Sequence, residues 1–211
     1  VKKFELTNEF VTNMFGTKLF RIRALVEFGD VEAGELGGYV EKESNLGHDD
    51  NAWVYDNAWV YGNARVYGDA LVYDNARVYD NAWVYGDAQV SGDARVSGNA
   101  RVYDNAWVYG NAQVSGDARV CGDARVCGNG DYAYAHGFGS VNRTTTFFRL
   151  KDGGVGVRCG CFYGTLAQFR DKIRETHGET KKAQEYLMLA DLMELRFEED
   201  ENEVGNRKYV E

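Results

Sequence analysis

The feature that most constrains this chain is a six-residue period running unbroken from Ala52 to Asn129. The segment reads AWVYDN AWVYGN ARVYGD ALVYDN ARVYDN AWVYGD AQVSGD ARVSGN ARVYDN AWVYGN AQVSGD ARVCGD ARVCGN, thirteen units that all place Ala first and Val third. In extended backbone alternate side chains face opposite sides, so Ala and Val share one side while the second and fourth residues share the other. The closing pair is Gly or Asp followed by Asn or Asp, residues that tolerate left-handed angles or bond to nearby backbone. Every sixth residue, the chain turns a corner. Three such sides close a triangular coil of 18 residues with Ala and Val inside. Coils of this kind stack about 4.8 Å apart, and each buried Val contributes roughly 1.5–3 kcal/mol. The absence of proline agrees, because interior strands need every N–H for the ladder. A helical reading fails, since the apolar period is two within a strict six.

This pattern resembles the left-handed parallel β-helix of the hexapeptide-repeat acyltransferases, where an aliphatic residue and a small residue four places later recur in every unit. Val54 and Ala58, Val60 and Ala64, and so on to Val120 and Ala124 match it. The resemblance implies the left-handed course and the trimeric assembly frequent in that family. The expected fold is thus an all-β left-handed parallel β-helix with an N-terminal β cap and a small C-terminal α+β module.

The flanks complete the organisation. Gly38-Tyr39-Val40 and Ser44-Asn45-Leu46 keep the hexad register, which then stretches by two residues at Gly47 to Asn51, a bulge carrying His48. Strand-like alternation in Phe4 to Thr7 and Lys18 to Leu25 predicts a cap over the first coil, whose open end is an exposed sheet edge. Downstream, Thr144 to Leu150 and Gly154 to Phe162 predict a hairpin around Lys151-Asp152-Gly153. Thr165 and Gln168 form a capping box for one helix, stopped by Gly178, and a second helix follows Thr180. The expected organisation is a cap over 1–37, a rod over 38–141, a hairpin and two helices over 142–197, and an acidic tail over 198–211. The segments FGDVEAGELGGYVEKESNL, Phe28 to Leu46, and GVRCGCFYGTLAQF, Gly156 to Phe169, are similar to parts of uncharacterised hexapeptide-repeat proteins of phages and prophages. That resemblance implies a mobile-element origin and carries no activity with it.

Charge and composition exclude several functions. A net charge of −9 argues against a general nucleic-acid binder, which needs a basic surface to release counterions. No apolar run approaches the roughly 20 residues of a membrane helix, and VKKFELTNEF lacks the apolar core of a signal peptide, so cytoplasmic residence in a bacterial host is expected. Cys121, Cys127, Cys159 and Cys161 read as reduced thiols. Cys159 and Cys161 are expected on one side of a strand, while Cys121 and Cys127 fall on different sides of the rod, poor spacing for zinc. Neither a metal nor a cofactor is expected.

Acyl transfer by a histidine base is the enzyme hypothesis, with His48 and His136 as candidates and His177 beside a helix stop. The rod itself offers neither a histidine nor a protruding loop. More informative are the outward ladders read every 18 residues: Trp53, Leu71, Gln89, Trp107, Arg125 on one face; Trp59, Arg77, Arg95, Gln113 on the next; Arg65, Trp83, Arg101, Arg119 on the third. Arg stems and Tyr rings cover a sheet in any such rod. An aromatic and arginine surface is also what interfaces and anionic ligands select. The candidate binding residues are therefore Trp53, Trp59, Arg77, Trp83, Arg95, Arg101, Trp107 and Arg119, with paired arginines holding phosphates and Trp or Tyr stacking a base. All four tryptophans are expected outside the core. The favoured function is a non-catalytic binding protein, a homo-oligomer or trimer, that engages a host protein or sequesters a small anionic, nucleotide-like ligand as a counter-defence device. An acyltransferase and a structural rod or virion component are the alternatives.

Overall fold

The computed structural model describes residues 1–139 and 141–198. Apart from Glu198, the expected acidic tail lies outside the described residues.

The hexads form a parallel β-helix. Strand β3 (Leu36–Val40) is followed by thirteen two-residue strands, β4 (Trp53–Val54) through β16 (Arg125–Val126), each holding the second and third residues of one unit. They collect into three parallel faces, β4-β7-β10-β13-β16, β3-β5-β8-β11-β14 and β6-β9-β12-β15. The register is that of an 18-residue coil, with Trp53 beside Leu71, Trp59 beside Arg77 and Arg65 beside Trp83. Backbone bonds climb from coil to coil, as from the Trp53 N–H to the Ala70 carbonyl at 3.1 Å and from Tyr55 to Val72 at 2.8 Å. Every Ala from Ala58 to Ala124 and every Val from Val54 to Val126 is fully buried. No larger residue than Ala enters the corner position, which is why the period is so strict.

Corner chemistry explains the closing pair. The fifth residue of every unit but the last has positive φ, from 50° at Asp56 to 71° at Gly62 and Gly68. A Cβ on Gly68 would come within 2.9 Å of the Gly86 nitrogen one coil on, so glycine there answers both angle and space. At Asp74 and Asp80 the carboxylate accepts the N–H of the next corner, from Gly92 at 2.9 Å and from Gly98 at 3.2 Å. That bond offsets the cost of about 1–2 kcal/mol for a side chain in left-handed backbone.

The N-terminal cap is the hairpin of β1 (Phe4–Thr12) and β2 (Lys18–Ala24), with β2 antiparallel to β3, so the cap prolongs one rod face into a seven-stranded sheet. It covers Trp53 completely: the indole is fully buried, with Phe28 and Phe4 edge-on at 5.3 and 6.2 Å between centroids. This corrects the expectation that all four tryptophans lie outside the core. Trp53 does sit at an outward hexad position, but it belongs to the first coil, and the cap folds onto it. Gly37 permits the approach, because a Cβ there would meet the Val54 carbonyl at 2.5 Å and the Trp53 ring at 2.7 Å. Lys3, also buried, lies over the Phe28 ring and donates to the Asp50 and Ala52 carbonyls at 2.7 and 2.8 Å.

The C-terminal module is a meander of β17 (Tyr132–Phe138), β18 (Arg143–Arg149), β19 (Val155–Cys159) and β20 (Phe162–Thr165), with α1 (Leu166–His177) and α2 (Lys181–Phe197) packed on one side. Strand β18 is a shared wall. Phe148 belongs to the rod core and its neighbour Phe147 to the module core, as alternation requires. The Ala124–Leu150 bridge and the Arg119 N–H to Thr146 Oγ1 bond at 2.9 Å fasten the module to the last coil. Thr165 caps α1 with Gln168 in a capping box, and Gly178 ends the helix. Two boundaries differ from expectation. The rod was expected to reach 141, but its last strand is Arg125–Val126, and Tyr132–Phe138 pairs antiparallel with β18 once the Ala and Val of the hexad are gone. The segment Gly154 to Phe162 is not one strand: Gly160, at φ 60°, turns the chain so that Cys159 pairs with Phe162. Cys161 therefore sits in a turn rather than beside Cys159.

Candidate functional site

The outward ladders form in the expected registers, and they show first what holds them. Guanidiniums lie on tryptophan faces from the adjacent coil, Arg77 on Trp59 at 4.5 Å, Arg125 on Trp107 at 4.7 Å and Arg101 on Trp83 at 4.8 Å. Arg65 approaches Trp83 at 5.9 Å. These rings are seats for the chain's own arginines. Tyrosines stack similarly, Tyr67 on Tyr85 at 4.9 Å and Tyr85 on Tyr103 at 5.0 Å, nearly parallel. Burial raises the phenol pKa along this column, most strongly at Tyr103, where a bond with the Cys121 thiol adds to it.

The eight candidate residues do not form one site. Trp53 is under the cap; Trp59, Arg77 and Arg95 lie on one face; Trp107 lies on another; Trp83, Arg101 and Arg119 share the third. Over that third face the C-terminal module stands off far enough to leave open space. Between them lies a cleft of about 810 Å³. Its floor is a grid of two columns, Trp83, Arg101 and Arg119 beside Asn81, Asn99 and Asp117; its far wall is made by the module, including Arg143, Arg158 and His136.

Four guanidiniums, Arg101, Arg119, Arg143 and Arg158, thus line one cleft, and among the described residues none forms an ion pair with a carboxylate. Arg158 shows what this costs. It lies over the Tyr103 ring at 5.9 Å and donates one long bond, 3.4 Å, to the Cys161 carbonyl, while its Nε is buried with no described partner. Arg143 lies across the Gly160 turn, where any Cβ would collide with its guanidinium. An arginine needs an acceptor for each donor, and four convergent cations without one are stabilised by an anion.

The histidines separate. His48 is part of the cap, stacked on Phe4 at 4.4 Å with Nδ1 accepting the Lys3 N–H at 3.2 Å, and burial lowers its pKa. His136 lines the cleft, with Nδ1 bonded to Thr144 Oγ1 at 2.9 Å. The two stand at opposite ends of the rod and cannot serve one reaction. Arg143, Arg158 and Asp117 were missed by sequence reasoning. The first two lie outside the hexads, in VNRTTT and GVRCG, which no spacing relates to the rod. Asp117 had a signal, being the fourth member of a polar column at Asn63, Asn81 and Asn99.

A family model described as the YdcK beta solenoid repeat matches residues 58–72, 70–86, 88–101, 94–110, 100–116 and 112–128. With the three parallel faces, this match makes the chain a repeat β-helix protein. The matched segments lie within the rod, from residue 58 to residue 128, and stop short of the module, so they include the floor of the cleft but not its far wall. Comparison with curated proteins gives no match. Among the described residues no helix is long and apolar enough to cross a membrane.

Proposed function

We propose that this protein binds a small, multiply charged anion, of nucleotide type, in the cleft between the third rod face and the C-terminal module. One observation carries the reading: in a chain of net charge −9, four guanidiniums that have no carboxylate partner among the described residues converge on one cleft. Guanidinium forks match phosphate oxygens, and a cleft of about 810 Å³ is within the size range of small-ligand sites. The protein acts by sequestration rather than catalysis, in a bacterial cytoplasm. The likeness of Phe28 to Leu46 and Gly156 to Phe169 to phage proteins supports a mobile-element origin, in which removal of a host nucleotide signal is a counter-defence role. Homo-oligomerisation, with a trimer as the family precedent, is supported by α2, where Met188, Leu192 and Leu195 are exposed by 72%, 54% and 67% at helical spacing.

The test is calorimetric titration with ADP and with a cyclic dinucleotide, alongside native mass spectrometry. Binding that weakens steeply with salt is expected. Absence of binding at millimolar concentration, with no shift in melting temperature, sinks the reading. Acyl transfer keeps a foothold because His136 lines the cleft, and a phosphate-bearing acyl carrier suits arginines; turnover of acetyl-coenzyme A lost in His136→Ala would establish it instead.

A further inference from the structure

We infer that Asp117 makes the cleft select a phosphate ester whose nucleoside portion donates a hydrogen bond, and reject a bare polyanion. This rests on the anion-binding reading of the same cleft. Among the described residues Asp117 is the one carboxylate in the lining, and it pairs with none of the four arginines. It is the terminus of a directional ladder. Lys42 Nζ donates to Asn63 Oδ1 at 3.4 Å, Asn63 Nδ2 to Asn81 at 3.2 Å, Asn81 Nδ2 to Asn99 at 3.3 Å and Asn99 Nδ2 to Asp117 Oδ1 at 3.0 Å.

Each amide spends a donor on the next coil, and the last member is an acceptor only. An ionised carboxylate has about four lone-pair sites, of which Asn99 takes one. Its other oxygen, Oδ2, has no partner among the described residues. Arg119, two residues along the chain, sits in the adjacent column of the same floor. The floor therefore places a negative acceptor beside the cationic column. A phosphate over Arg119 is attracted by the guanidiniums and repelled by Asp117, so a chain of phosphates filling the cleft is penalised. A ligand that puts phosphate against Arg101 and Arg119 and a sugar hydroxyl or base N–H against Asp117 satisfies both columns. Since the tryptophan face is already taken by Arg101, this bond rather than ring stacking supplies the discrimination.

The experiment measures affinities of the full chain for ADP and for inorganic tripolyphosphate, in wild type and in Asp117→Asn. Wild type is expected to prefer ADP although it carries less charge, and Asp117→Asn to lower the ADP-to-tripolyphosphate affinity ratio by about tenfold or more, the worth of one charge-assisted bond. A wild-type preference for tripolyphosphate, or a ratio within twofold of wild type in the variant, overturns the inference while leaving the anion site standing. If neither probe binds wild type, the anion site falls and this inference with it. The wild-type preference needs no variant, so misfolding of Asp117→Asn would not rescue a wrong outcome. Loss of preference with 2′,3′-dideoxy-ADP assigns the donor to the sugar; its retention assigns it to the base.

Discussion

Both ends of the rod are finished by antiparallel strands, yet one end seals the outward side chains it meets and the other leaves them open. At the first coil the cap brings Phe4 and Phe28 against Trp53, apolar surface against apolar surface, and water is excluded. At the far end the module brings Arg143 and Arg158 over Arg101 and Arg119. Four like charges cannot be packed dry, because each guanidinium needs water or an acceptor. The same device, a meander closing a β-helix, therefore yields a core at one end and a solvated cleft at the other. The difference lies in the chemistry of the residues that the flanks contribute.

The largest effect that can break this comparison is at tryptophan. Trp53→Ala should cost about 3–5 kcal/mol in urea unfolding, as for a large core side chain, while Trp107→Ala, 39% exposed, should cost less than about 1 kcal/mol. Equal costs would mean that the cap does not seal its end. At the other end, Arg101→Ala or Arg119→Ala should each weaken ADP binding by about tenfold to a hundredfold, the worth of a bond to a charged group. Calorimetry of Arg77→Ala and Arg95→Ala, on another face, should show changes within about twofold by the same scale; losses there would place the ligand elsewhere on the rod.

A third contrast is in pH. Burial holds the Lys3 ammonium at a pKa of about 8 against an ordinary 10.5, with Asp50, Asp49 and Asp69 opposing the shift. Because the unfolded chain keeps this proton where the folded one releases it, stability should rise from pH 8 towards 10, by at most on the order of 2 kcal/mol. Above pH 10 the sign reverses: Tyr61, Tyr67, Tyr85 and Tyr103 hold their protons in the fold while the unfolded chain ionises. Melting temperature followed from pH 7 to 10 should climb in wild type and stay flat in Lys3→Met. The smallest effect belongs to the module. Thr165→Ala, which removes the acceptor for the Gln168 N–H, should lower stability by about 1 kcal/mol in the same unfolding assay.

The rod was legible because a six-residue period states at every step which side chain is inside, and nothing in the flanks can overrule thirteen consecutive Ala and Val positions. What the period leaves open is the environment of the outward residues. Trp53 and Trp107 occupy equivalent places in the hexad, and only the cap makes one of them core. Half of the cleft was legible for the same reason: Arg101 and Arg119 follow from the repeat, whereas Arg143 and Arg158 come from strands whose approach depends on β18 docking against the last coil. The turn at Gly160 was hidden because GVGVRCGCF alternates as well as any single strand.

The three-sided coil also sets the grammar of permitted length changes. Each six-residue unit turns the chain onto the next face, so gaining or losing one unit upstream of the last coil would swing the module round the rod together with Arg119 and Ala124, to which it is fastened, and would put another ladder in place of Arg101 and Trp83 behind Arg119. Only whole coils of 18 residues return it to the same side. Variants of this protein can thus grow or shrink in steps of three hexads with the pocket intact, and any other step re-addresses the pocket to another surface while the rod still folds.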